Sequence, residues 1–470
     1  MQAIMLRCIL AIGVCASLSG CGVRDIDTGG GSGDSAGTNS SLNSAANSLF
    51  GQRPRASSCE LEDINTWVHE SMLDYYLFYD QVDRNIDAQS YASTEQLIKD
   101  LRVAPNDTFS NVTDEAQYNA FFSEGESFGY GWNFARNEAN ELLFSLIEPN
   151  SPLALANVNR GDRLVSINGL DITQFVDLTS EEQADILGEG DEVKTLELVI
   201  APFNSLQQEA ANAQNDAVRQ VSVTKATYAL QTVLDTKVTD NNGQKTGYLS
   251  FYQFVNTSSD ELAAAFADFK SAGISELVLD LRFNGGGRIS VANELASYIL
   301  GNGHSSDVFT TFAYNDKYEF RNLSIPFRDT LQGLSLNRLF VLQSANTCSA
   351  SELVVNSLRP FIEVITVGST SCGKPYATSP NISCGKVSNV LEINLLNAAN
   401  TGDYFDGIAA DCPVQENVQS VLGETSDPLF STALEYINTG NCSSLAARSL
   451  HPGYRLSPTL KQPWQSDGVM

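Results

Sequence analysis

The chain has 470 residues, 42% of them hydrophobic and 18% charged, so it can bury a sizeable core and is long enough for two or three domains. Its formal net charge is −28, from 28 Lys and Arg against 56 Asp and Glu. That balance excludes a binder of nucleic acid, whose phosphates need a surplus of Lys and Arg, and it excludes a polybasic membrane patch.

Residues 1–20 read as a signal segment. Arg7 ends a short n-region, and residues 8–16 form an apolar h-region far below the about 20 residues of a spanning helix. Leu18-Ser19-Gly20-Cys21 follows, with small residues where a signal peptidase cuts, and it resembles a bacterial lipobox. The resemblance implies an exported lipoprotein with Cys21 as its acylated first residue. By the same resemblance, Gly22 rather than Asp after the cysteine implies the outer membrane over the inner, on its periplasmic side. Residues 21–58 are rich in Gly, Ser, Asn and Ala, a composition that predicts a flexible tether.

Of the nine cysteines, Cys8 and Cys15 leave with the signal and Cys21 takes the lipid. The six that remain are Cys59, Cys348, Cys372, Cys384, Cys412 and Cys442, an even set that predicts disulfides in an oxidising compartment. Cys372 with Cys384 is the expected pair, since it closes a short loop. No zinc-type spacing occurs, so neither metal nor other cofactor is expected.

Residues 59–120 predict a helical N-terminal module. Trp67, Met72, Leu73, Tyr75, Tyr76, Leu77 and Tyr79 recur at helical spacing in a run without Gly or Pro. A second helix is expected around Thr94–Leu101, with Ser93 or Thr94 as its cap.

In residues 121–205, Phe128-Gly129-Tyr130-Gly131-Trp132-Asn133-Phe134 precedes an apolar strand at 141–147. Asn150-Ser151-Pro152 and then Gly161-Asp162-Arg163-Leu164-Val165-Ser166-Ile167-Asn168-Gly169 follow. This succession resembles a PDZ domain. The resemblance implies that the loop of Gly129, Tyr130, Gly131 and Trp132 holds a chain-terminal carboxylate on backbone N–H groups. The strand edge beside it would pair with an extended peptide. Tyr130 and Trp132 depart from the common Gly-Leu-Gly-Phe form of that loop.

Strands are expected at 194–202, 221–227 and 246–251. A helix follows at 260–272, capped by Ser258 or Ser259, then a buried strand at 276–282 and a helix at 290–300. This alternation predicts an α/β core over 206–445, leaving 446–470 as a C-terminal tail. The buried strand runs into Asn284-Gly285-Gly286-Gly287, a bend whose amide protons can face one point and suit an oxyanion. It lacks the lysine and the glycine spacing of nucleotide-binding loops.

The stretch from Thr347 to Lys374 carries the chemistry. Ser349-Ala350-Ser351-Glu352 is a capping box at a helix start, where the Ala350 N–H and the helix dipole can stabilise negative charge. Lys374 follows an apolar strand at 364–368 and is placed to be partly buried, which lowers an amine toward a useful base. A serine with a lysine for its base is a compact nucleophilic site. Cys348 is a rival nucleophile. The three histidines, His69, His304 and His451, stand in no recognisable catalytic context.

Asp280-Leu281-Arg282-Phe283-Asn284-Gly285-Gly286-Gly287, then Ser349-Ala350-Ser351-Glu352, then Gly373-Lys374, behind a PDZ-like segment, resemble the carboxy-terminal processing (tail-specific) serine peptidases. Ser349 and Lys374 keep that family's separation of 25 residues. The resemblance implies a serine endopeptidase with Ser349 as nucleophile and Lys374 as base. Gly286 or Gly287 and Ala350 would form the oxyanion hole. Its substrates would be proteins or peptides with free C-termini, captured by the PDZ domain; no adaptor is specified. Thr378 stands where many relatives have a glutamine that orients the lysine, so another hydrogen-bonding group, such as Glu352 or Thr378, would have to take that part. That departure motivates an alternative, an impaired site that only binds C-terminal peptides or apolar ligands. A third reading, a small-molecule esterase or amidase, leaves the PDZ-like segment without a task.

Overall fold

The computed structural model describes residues 53–137, 141–203 and 218–442, with the backbone of one further short strand, Arg455–Leu456. The signal segment, most of the tether, Cys21 and His451 lie outside the described residues.

The N-terminal module packs helix α1 (Leu61–Tyr75) on helix α2 (Thr94–Leu101). Trp67, Val68 and Met72 of α1 meet Leu97, Ile98 and Leu101 of α2 in one buried cluster. The Ser93 hydroxyl caps α2 by accepting the Gln96 N–H at 3.1 Å. The aromatic stripe does not continue as one helix to Tyr79, because Tyr76 is extended. Its hydroxyl accepts the Val103 N–H (3.1 Å) and its carbonyl accepts from the Asn315 amide (3.0 Å), tertiary bonds that override local propensity.

An antiparallel sheet follows, in the order β1 (Trp132–Arg136), β2 (Leu142–Ile147), β3 (Arg163–Ile167), β4 (Thr195–Ala201) and β5 (Arg219–Thr224). Its apolar face has its own core around Trp132, Phe134, Phe144 and Phe175. The sheet takes in β5, beyond the residue 205 at which this unit was expected to end, since a polar stretch separates β4 from β5 in sequence. The free edge of β1 pairs antiparallel with Arg455–Leu456.

The α/β core contains β6 (Val233–Asn241), β7 (Gln244–Phe251), α3 (Ser258–Ala272), β8 (Glu276–Asp280) and α4 (Ile289–Leu300). It continues with β9 (Arg338–Gln343), α5 (Ala350–Leu358), β10 (Glu363–Gly368), β11 (Tyr376–Thr378), β12 (Leu391–Leu396), β13 (Cys412–Pro413) and α6 (Pro428–Thr439). The main sheet runs β6-β7-β8-β9-β10-β13 and is parallel from β7 onward. Every residue of β8 is buried, as a central parallel strand covered on both faces requires. Side chains of α3, α4 and α5 share one core cluster, and α6 joins another with Val278 and Phe340. Ser258 does not cap α3 but sits inside its first turn, donating to the Gln253 carbonyl (2.8 Å) and accepting the Val255 N–H (3.1 Å).

Because β8, β9 and β10 are parallel, their C-terminal ends lie at the same edge of the sheet. They lead into 284–287, 344–349 and 369–374 respectively, and that edge is where open α/β sheets place their ligands. Beneath it Arg282, wholly buried, forms ion pairs with Asp280 (2.7 Å) and Asp427 (2.6 Å), fixing the end of β8 to the start of α6.

The disulfides are Cys59–Cys384, Cys348–Cys372 and Cys412–Cys442. The expected Cys372–Cys384 bond does not form. Cys384 turns the hairpin of Asn381–Ser383 and Lys386–Asn389, which pairs with strand Asn111–Asp114 of the N-terminal module. Cys372 instead faces the serine turn. No helix among the described residues is long and apolar enough to cross a membrane.

Candidate active site

Ser349 occupies the sharp turn from β9 into α5. Its backbone, at φ +53° and ψ −112°, lies where non-glycine residues are rarely found, and such conformations persist only where the surroundings impose them. The surroundings here can be named. Thr347 Oγ donates to the Leu281 carbonyl (2.8 Å), and the Asn284 carbonyl accepts both the Cys348 N–H (3.1 Å) and Ser351 Oγ (3.0 Å). The turn is thus stitched to the residues that leave β8. Ser351 is fully buried and its hydroxyl is committed to that bond, whereas Ser349 is only half-buried.

Glu352, with no exposed surface, joins the two halves of the site. Its Oε2 accepts the N–H of Ser349 (3.0 Å) and the N–H of Lys374 (2.8 Å). Its Oε1 accepts the N–H of Gly373 (2.8 Å) and the hydroxyl of Ser371. Residues far apart in sequence therefore meet at one oxygen atom. Burial pushes the Glu352 carboxyl above its ordinary range, while these four donors oppose the rise. The Cys348–Cys372 bond ties the same two segments a second time, with Cα atoms 5.2 Å apart, and it removes Cys348 from consideration as a free nucleophile.

Lys374 is buried, with 4% of its surface exposed. Burial lowers its ammonium to about 8; Arg102 acts in the same direction, and Asp107 and Glu352 act against it. Its Nζ lies 5.0 Å from the centre of the Phe109 ring. Arg102, Asp107 and Phe109 belong to the segment after α2, and sequence reasoning missed all three. Thr378 is half-buried in β11, at a register shift against β12.

The glycine bend abuts the serine turn. A Cβ at Gly286 would stand 2.8 Å from Ser349 Cβ and 2.9 Å from the Ala350 nitrogen, so only glycine fits there. The Gly286 N–H is already used, donating to Asn284 Oδ1 at 2.8 Å. The N–H groups of Gly287 and Ala350 have no acceptor among the described residues.

In the antiparallel unit, Gly131 has φ +80°, and a Cβ there would collide with Ser151. Tyr130 and Trp132 are each 2% exposed, and the Tyr130 hydroxyl donates to the carbonyls of Leu187 (2.9 Å) and Lys194 (3.1 Å). Their side chains fill the core, and the carbonyls of Tyr130 and Gly131 already accept the N–H groups of Leu153 (3.2 Å) and Glu148 (2.9 Å). His69 and His304 are engaged with Asp83 and Asp307.

The family model for Peptidase family S41 matches residues 245–411, and that for the Peptidase S41 N-terminal domain matches residues 63–111. A carboxyl-terminal-processing protease of Picosynechococcus sp. is 27% identical over 272 residues, covering 57% of this chain and 60% of its own length. Carboxy-terminal processing protease CtpA of Bacillus subtilis is 24% identical over 332 residues, covering 70% of this chain and 63% of its own length. The chain thus spans about three fifths of the length of such curated relatives. A crystal structure from Bacteroides fragilis, described as an S41 protease, superposes with a TM-score of 0.64 at 23% identity. It covers 80% of this chain and 97% of its own, a likeness of fold.

Proposed function

We propose that this chain, which belongs to peptidase family S41, is a serine endopeptidase that cleaves exported proteins with a Ser349–Lys374 dyad. The observation that carries the reading is the shared Glu352 oxygen, which ties the nucleophile's backbone to that of the base. With Lys374 lowered to about 8, about a tenth of it is the neutral amine at pH 7. That amine takes the proton of Ser349 as Oγ attacks the peptide carbonyl. The oxyanion that forms is held by the N–H groups of Ala350 and Gly287, the former in the first turn of α5. The Lys374 ammonium passes its proton to the leaving amine as the C–N bond breaks. Water, deprotonated by the same amine, then releases the acyl group from Ser349.

The unit built on β1–β5 acts as a PDZ domain that captures C-terminal tails. In support, Gly131 adopts the turn such a loop needs, and the β1 edge takes up an extended segment, Arg455–Leu456, in antiparallel pairing. Export fits three disulfides, which persist in oxidising compartments, and the lipobox at Cys21 supplies an anchor on the periplasmic side.

Ser349→Ala should abolish hydrolysis of an unfolded protein while thermal unfolding stays unchanged. Full activity in that variant refutes the assignment. A parent protein that binds C-terminal peptides but cleaves none between pH 6 and 10 would leave a binding protein instead. Digesting a model protein with a free and a blocked C-terminus, read by mass spectrometry, tests the capture of tails.

A further inference from the structure

Lys374 has to be held and tuned by something, and its neighbours differ in what they have to offer. Glu352 is committed: each of its oxygens already accepts two donors from the backbone or Ser371. Asp107 is not. It is 2% exposed, and its Oδ1 accepts the N–H groups of Phe109 and Ser110, both at 2.8 Å; the Tyr76 hydroxyl lies beside the carboxylate, but no donor stands within 3.5 Å of its Oδ2. A buried carboxylate with a vacant oxygen is costly unless a cation faces it. The turn that Asp107 closes carries Phe109, whose ring lies 5.0 Å from Lys374 Nζ.

This segment is fixed against the strands beyond Lys374. Ser110 Oγ accepts the Leu391 N–H (3.1 Å), Asn111 pairs with Asn389, and Cys59 is bonded to Cys384. We propose that Asp107, supplied by the N-terminal module, is the positioning residue that orients Lys374 and sets its basicity, where many relatives use a glutamine. The inference rests on the Ser349–Lys374 reading and adds to it that the module completes the active site.

The other charged and titratable groups facing this point are Arg102 on the same segment, Glu352 on α5, Tyr76 beyond α1 and Tyr376 on β11. Asp107 is the first of the charges that hold the Lys374 ammonium up. It also helps to push the Tyr376 phenol up to about 12, after burial, so two groups on the strand side register the same carboxylate.

The test is Asp107→Asn. Asparagine keeps the Oδ1 acceptor and with it the turn at Phe109 and Ser110, and it removes the charge at Oδ2. The rise of kcat/KM with pH should then have its midpoint about one pH unit lower, because the ammonium has lost a stabilising charge, while the plateau kcat falls about tenfold. A plateau loss with the midpoint unmoved would mean that Asp107 only supports the fold, and the inference fails. Lys374→Ala is measured alongside. If it still hydrolyses protein, the dyad fails and the inference with it. If it is inactive while Asp107→Asn keeps the parental midpoint, only the inference fails. Should Asp107→Asn not fold, Asp107→Ser closes the same turn and carries the same expectation.

Discussion

Replacing Glu352 by glutamine exchanges one oxygen for an NH2 group and removes one charge, at a position with no exposed surface. The carboxylate serves two pairs of donors: Ser371 and Gly373 on Oε1, Ser349 and Lys374 on Oε2. A glutamine carbonyl can serve only one pair. If its NH2 faces Ser371, that hydroxyl can turn and accept from it, since Ser371 Oγ already accepts the Ile408 N–H at 2.7 Å. The Gly373 N–H is then left against another donor. One stranded buried donor costs about 1–3 kcal/mol, and the remaining bonds lose roughly another 1 kcal/mol with the charge. Glu352→Gln should therefore lower stability by about 2–4 kcal/mol, and Glu352→Ala, which strands all four donors, by more. Because Glu352 faces the backbone rather than the substrate, the loss of activity should fall on kcat, by about tenfold or more, with KM within about twofold. Urea unfolding followed by tryptophan fluorescence reads the first quantity, and steady-state hydrolysis of an unfolded protein reads the second. Parental urea midpoint and parental kcat together would refute the idea that this carboxylate holds the dyad.

Removing the Cys348–Cys372 bond with paired serine substitutions opens a loop with a sequence separation of 24. It should cost about 3–4 kcal/mol by the loop-entropy relation and lower kcat, measured by urea unfolding and hydrolysis. Glu148 is fully enclosed, accepts the hydroxyls of Tyr228 (2.8 Å) and Tyr252 (3.0 Å), and has its carboxyl raised by burial to about 7. A folded value raised above the unfolded one makes stability greatest below about pH 4.5 and lost as pH rises through about 7. Glu148→Gln should flatten that decline, and an unchanged slope in urea midpoints between pH 5 and 8 would contradict it. Ending the chain at residue 445 removes the strand paired with β1 and should tighten binding of C-terminal peptides, measured by fluorescence anisotropy.

Much of this protein was legible in the chain order. The all-buried β8 reads as an apolar run, the glycines after it mark the bend, and Ser349-x-x-Glu352 marks a helix start, each a signal carried by adjacent residues. The same kind of signal misled where a distant partner decided the outcome. Tyr76 has the spacing of a helical residue, yet its bonds to Val103 and Asn315 pull it into an extended conformation. The disulfide pairing followed the hairpin that turns at Cys384 and not proximity in sequence.

The candidate site divides along the same line. The residue types of the proposed dyad and of the glycine bend are determined by the sequence itself, because a nucleophile, an amine and a positive-φ glycine have few substitutes. Which donors are open is a tertiary matter: the Gly286 N–H is taken by Asn284, leaving Gly287 and Ala350. So is the role of Glu352, a local capping residue whose second task, accepting the Lys374 N–H, comes from the loop after β10 folding back beside it. Phe109 reaches Lys374, and brings the turn closed by Asp107 with it, only because the N-terminal module is pinned across the strands that follow that lysine. Covalent order supplies the reactive groups, but burial and hydrogen-bond competition, which set their basicity and availability, exist only once distant segments have met.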